Sequence, residues 1–91
     1  MKLSTIKKER IYEQIFLYLY RIYPKNPFTA EIAREVIRDE EFIKKILFEL
    51  KDKNLIIALR KNSKGVVFTR KIKWKLPTQI YDIYHSKQHL L

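Results

Sequence analysis

The stretches Phe28-Thr-Ala-Glu-Ile-Ala-Arg-Glu-Val36 and Ile43-Lys-Lys-Ile-Leu-Phe-Glu-Leu-Lys-Asp-Lys-Asn-Leu-Ile-Ile57 decide how this chain folds. Thr29 reads as the N-cap of a short helix with Ile32, Ala33, Val36 and Ile37 facing inward. Asp39 reads as the next N-cap. Glu40 and Glu41 follow it in the first turn, where the helix dipole favours carboxylates. Ile43, Ile46, Leu47 and Leu50 make the inner stripe of this third helix. Asn54 falls just past its end, where a left-handed residue is often needed and Asn tolerates it.

Upstream, Ser4 or Thr5 caps a first helix running to about Tyr23, which Pro24 and Pro27 end. Ile11, Ile15, Tyr18, Leu19 and Ile22 form its inner stripe, while Tyr12, Phe16, Leu17, Tyr20 and Tyr23 add apolar surface elsewhere. A helix apolar on most of its circumference is buried on more than one side, so a second subunit or another element must cover it. Downstream, residues 55–59 and 66–76 read as strands flanking the turn Asn62-Ser63-Lys64-Gly65. Phe68, Ile72, Trp74 and Leu76 alternate with Thr69, Lys71, Lys73 and Lys75, giving one apolar and one cationic face. Pro77-Thr78 opens a last helix with Ile80, Ile83 and Tyr84 on one face. The expected class is α+β, with element order helix, helix, helix, strand, strand, helix.

The charge is unevenly placed. The 91-residue chain has formal net charge +10. Residues 60–75 hold seven basic side chains and no acidic one: Arg60, Lys61, Lys64, Arg70, Lys71, Lys73 and Lys75. Residues 25–59 carry seven of each sign and are neutral. A basic hairpin of this kind suits a polyanion, and nucleic acid is the commonest. If it neutralises about four to six phosphates, log affinity falls against log salt with a slope of about −4 to −5, and Lys7, Lys8 and Arg10 would steepen it.

This pattern resembles a winged helix-turn-helix domain, of the type found in small archaeal and archaeal-virus DNA-binding proteins. Ile32-Ala33 in the capped second helix, the spacing of Ile43, Leu47 and Leu50, and Asn54-Leu55-Ile56 entering the hairpin carry the resemblance over residues 5–76. The resemblance implies a DNA-binding protein, a small transcriptional regulator in class, with the third helix in the major groove and the wing on the backbone or minor groove. By position it assigns DNA contacts to Lys44, Lys45, Phe48 and Lys51, and to the wing cations Arg60, Lys61, Lys64, Arg70, Lys71 and Lys73. Glu40 and Glu41 oppose phosphate and would serve only a cytosine amino group. Ile37 stands where a turn glycine is usual, which implies a wider turn. Residues 1–91 are expected to form one domain, with 78–90 as the added helix.

The same residues leave a second reading open. Exposed Phe42 and Phe48 would suit a protein-interaction module within a replication or transcription complex. Trp74 would stack on single-stranded bases or join the core, and its alternation with Phe68 and Ile72 favours the core. A homodimer through Tyr12, Phe16, Tyr20, Tyr81 and Tyr84 is expected, because amphipathic aromatics favour interfaces.

Other classes are disfavoured. Without cysteine there is no disulfide, thiolate nucleophile or cysteine-ligated zinc. His85 and His89 have i, i+4 spacing, but only Asp82 is near, and a tail reading is preferred to a metal site. There is no nucleophile–base pair, glycine-rich phosphate loop or HExxH motif, so neither an enzyme nor a cofactor is expected. The apolar piece 15–23 is far short of about 20 residues and contains Arg21, and Met1-Lys2-Leu3-Ser4 lacks a secretion signal's apolar run. An intracellular location is expected.

Overall fold

Three amphipathic helices and the root of a hairpin converge on the apolar stripes read above. The computed structural model describes residues 5–60 and 71–90, and of Thr5 and residues 88–90 only the backbone. The order is α1 (Thr5–Ile22), α2 (Thr29–Val36), α3 (Glu40–Asp52), β1 (Ile57–Leu59), β2 (Lys73–Lys75) and α4 (Thr78–Leu90). The turn 62–65, Val66, Phe68 and Thr69 lie outside the described residues, as does Ser4. No described helix is long and apolar enough to cross a membrane.

Ile11, Ile15, Phe16 and Leu19 of α1 pack with Ile32, Ala33 and Val36 of α2 and with Ile43, Ile46, Leu47 and Leu50 of α3. Ile56, Trp74 and Leu76 close this core from the hairpin side. Tyr18 and Ile22 are half-buried at its edge. Asp39 caps α3 as expected, its Oδ2 accepting from the Phe42 backbone N–H at 3.1 Å. Asn54 adopts the left-handed conformation, φ 61°.

Thr29 does not cap α2. Phe28 holds the cap position without a side-chain bond, and Thr29 is the first helical residue. Its hydroxyl is taken elsewhere: Trp74 Nε1 donates to Thr29 Oγ1 at 2.8 Å inside the protein. Ile37 does not face inward. It is 81% exposed, with φ 54° and ψ 58°. The backbone there ends α2, with Arg38 N–H donating to Ala33 O at 3.0 Å. The connection to α3 is only residues 37–39, so the turn is not widened. A β-branched residue in left-handed conformation does here what glycine does without strain.

β1 and β2 pair antiparallel in the register Ile57 with Lys75, Ala58 with Trp74 and Leu59 with Lys73. The paired segments are shorter than residues 55–59 and 66–76. Asn54 and Leu55 N–H groups are used to close α3, donating to Lys51 O and Leu50 O, each at 2.9 Å. At the other end Pro77 O accepts from Ile80 and Tyr81 as α4 starts. The segment before α2 also pairs with β2: Phe28 bridges Lys73, and Trp74 N–H donates to Pro27 O at 2.9 Å.

The second cover of α1 is α4 of the same chain. Tyr81 stacks on Tyr20 and Tyr23 at ring separations of 5.1 and 4.1 Å, and Tyr84 meets Phe16 at 6.0 Å. The inner face of α4 is therefore Ile80, Tyr81 and Tyr84, while Ile83 is 51% exposed. Stacking selects Tyr81, which the helical stripe alone had passed over.

Candidate nucleic-acid interface

α3 is 13 residues long, and at 100° per residue its faces can be followed one by one. Lys44, Phe48 and Lys51 share the side toward the hairpin. Lys44 is exposed and Lys51 half-buried. Phe48 is half-buried rather than outward, because its ring meets Trp74 edge-on at 5.4 Å and the Arg60 guanidinium lies over it at 5.9 Å. Phe42 is likewise half-buried against the core. Neither ring is a free apolar knob, which removes the feature that suggested a protein-docking surface. Lys45 lies a quarter turn or more from Lys44, exposed on the outermost face with Glu41 and Asp52.

Lys44 meets the wing across a groove of about 160 Å³. Phe28, Thr29 and Ala30 of α2's leading edge, Glu40, Glu41 and Lys44 of α3, and Lys71 and Ile72 of the wing line it. Lys71 and Lys73 place their Nζ atoms 5.4 and 5.1 Å from the Phe28 ring centre. Phe28 therefore holds two wing cations, a role that local spacing did not reveal because its partners lie more than 40 residues away. Arg60 and Lys71 are exposed and Lys73 half-buried. Lys61, Lys64 and Arg70 lie outside the described residues. Glu40 and Glu41 bring two carboxylates to the same groove, so it offers both donors and acceptors.

Trp74 has no exposed surface and belongs to the core. Stacking on a base is closed to it in this fold.

The aromatic residues assigned to a subunit interface meet partners within the chain. Phe16 is buried; Tyr20, Tyr81 and Tyr84 form one cluster with Tyr23. Tyr20 Oη also lies 3.2 Å from His85 Nδ1. The His89 side chain lies outside the described residues. Among the described residues no group of three or more His, Asp or Glu side chains could hold a metal ion.

Tyr12 joins α1 to α3 instead. Its Oη donates to Glu49 Oε2 at 2.8 Å, and Lys8 Nζ pairs with Glu49 Oε1 at 3.2 Å. Lys8 is thus partly neutralised and counts less toward a polyanion than its position suggested. Burial, then the Glu49 bond and charge, push the Tyr12 hydroxyl up to about 12. The Tyr12 bond holds the Glu49 carboxyl below its ordinary value, against burial and with help from Lys8 and Lys53.

An α2–turn–α3 pair followed by an antiparallel hairpin tied back to the start of α2 defines a winged-helix fold. Solved winged helices agree with it. S. aureus MepR in its DNA-binding conformation superimposes with TM-score 0.63, at 18% identity over 93% of this chain and 56% of MepR. Lactococcus lactis ZitR, a zinc-responsive MarR family member, does so with TM-score 0.56, at 21% identity over 98% of this chain and 55% of ZitR. ZitR in complex with DNA gives TM-score 0.55 at 18% identity, over 96% of this chain and 56% of ZitR. The chain therefore spans little more than half the length of these proteins, and at such identity the likeness is one of fold. No family model matches the sequence, and no curated protein gives a significant match.

Proposed function

We propose that this chain binds duplex DNA, with α3 in the major groove and the wing on the adjoining backbone, as a small transcriptional regulator. One observation carries the reading. Lys44 of α3 and Lys71 of the wing line a single groove with Glu40 and Glu41, and Arg60 lies over Phe48, one turn further along α3. Cations from separate elements converge on a surface a helix-and-wing reader would use. The DNA-bound structure of ZitR supports the same reading for this fold. Phosphate contacts by lysine and arginine set affinity and register, while Glu40, Glu41 and Lys44 are the groups placed to discriminate bases. A homodimer through α1 and α4 would set two such surfaces on one site; Ile6 and Ile83, 65% and 51% exposed on those helices, support it.

Fluorescence anisotropy with labelled duplex across a salt series tests this function. The expected log–log slope is about −4 to −5 or steeper. Lys44→Glu, Arg60→Glu and Lys71→Glu together should weaken binding by about tenfold or more and flatten the slope by about 3. Binding no tighter than about 100 μM at low salt, or a triple variant with undiminished affinity, overturns it.

A further inference from the structure

The outward face of α1 carries a mixed stripe. Counting about 100° per residue from Ile6, the residues Arg10, Glu13 and Leu17 fall within about 40° of it. Ile11, Ile15 and Leu19, which enter the core, lie about 140° or more away. Ile6, Arg10, Glu13 and Leu17 are all exposed. The aromatic contacts of α4 are to Phe16, Tyr20 and Tyr23, around the side of the helix. The steps from 6 to 10, 13 and 17 are those of a coiled-coil seam. Its two ends are apolar side chains in water, Ile6 at 65% and Leu17 at 38% exposure. Its middle is one cation and one carboxylate.

Read in either direction, this stripe complements itself. Let a second copy of α1 run antiparallel to the first, with the two-fold axis level with residues 11 and 12. Ile6 then meets the partner's Leu17, and Arg10 meets the partner's Glu13. The symmetry repeats both contacts, as an isologous interface requires. All four layers are matched, apolar with apolar and cation with carboxylate. A parallel pair would instead set Arg10 on the partner's Arg10 and Glu13 on the partner's Glu13. Sliding the antiparallel pair by one layer would set Ile6 on the partner's Arg10. Charge within a short apolar seam thus selects both direction and register. We propose that α1 pairs antiparallel with α1 of a second copy of this chain through Ile6, Arg10, Glu13 and Leu17. This rests on the dimer named above, narrows it to one helix face and does not depend on DNA. Four layers over about 16 Å of helix make a small contact. It falls well short of the roughly 1,600 Å² of a standard interface, so the pairing is reversible and rises with concentration.

Sedimentation of the chain alone, from about 10 μM to about 1 mM, tests the pairing. The parent should shift from monomer toward dimer across that range. Arg10→Glu opposes carboxylate to carboxylate, and Glu13→Arg opposes cation to cation. Each should weaken self-association by about tenfold or more. Mixed in equal amounts, the two variants should pair with each other, because every ionic layer is then matched. The double change Arg10→Glu, Glu13→Arg should restore self-association at unchanged net charge. Recovery on mixing cannot come from variants that fail to fold. Single variants that associate as the parent does, or a mixture without recovery, overturn this register and leave a dimer through α4 standing. A parent still monomeric at about 1 mM overturns the dimer as well. Both results are read without DNA and are separate from the duplex titration.

Discussion

Trp74 and Thr29 are 45 residues apart, and each has its only sharp polar requirement met by the other. An indole N–H with no exposure to water must find an acceptor within the fold. Thr29→Val keeps the shape of the side chain and removes that acceptor. It should lower stability by about 1–3 kcal/mol in chemical denaturation, the cost of a buried donor left unmet. A change below a few tenths would mean that the indole finds water or another oxygen. Ile37 is the opposite case. Its side chain is 81% exposed and little burial depends on it, while its φ of 54° is one a branched side chain resists. Ile37→Gly relieves about 1–2 kcal/mol of left-handed strain and returns part of it as chain entropy. A net gain of about 0.5–1 kcal/mol is expected, and Ile37→Ala should fall short of it, measured by the same denaturation curves.

Between elements, the Tyr12–Glu49–Lys8 set fastens α1 to α3 on the flank away from the wing. The folded state holds the Glu49 carboxyl below its ordinary value of 4.5. A depressed folded pKa means the contribution is fully present above about 4.5 and is lost as pH falls through the folded value. Glu49→Gln should therefore be less stable than the parent at pH 7 and lose less on going to pH 3, so the two stability profiles converge in acid. Parallel profiles would show that the carboxylate's charge does not contribute to the link. This fastening was not legible in the sequence, because Tyr12 and Glu49 lie 37 residues apart and each fits an ordinary helix surface. Local signals were readable. Asp39, the stripe from Ile43 to Leu50 and Asn54 each follow from neighbours within one or two helical turns. Thr29 misled because a hydroxyl before an apolar stripe looks like a cap until a distant indole claims it. Ile37 misled because periodicity continues past the point where the backbone turns left-handed. The strand ends misled because hydrophobicity does not say which N–H groups close α3. In the candidate groove, spacing set Lys44 and Lys71 on outward faces but did not show that Phe28 holds the wing cations, and it set Phe48 outward because the hairpin's approach is a tertiary event.

Across the whole molecule, the described chain is a slab of 41 × 36 × 22 Å. α4 lies against α1 through aromatic contacts, and the hairpin root lies against the start of α2. The segment 25–59, neutral overall, is followed along the chain by the basic stretch 60–75. The seam formed by Pro27, Phe28, Lys73 and Trp74 then has a mechanical meaning. It ties the wing root to the helix pair by two backbone links and a buried side-chain bond. The jaw between α3 and the wing root is therefore preset. On the proposed duplex-binding reading, a duplex seated in it would have to supply the matching curvature itself, and stiff and pliant base-pair steps differ in the energy that takes. Selection among sequences can thus arise from the elasticity of the DNA, at positions no side chain reaches.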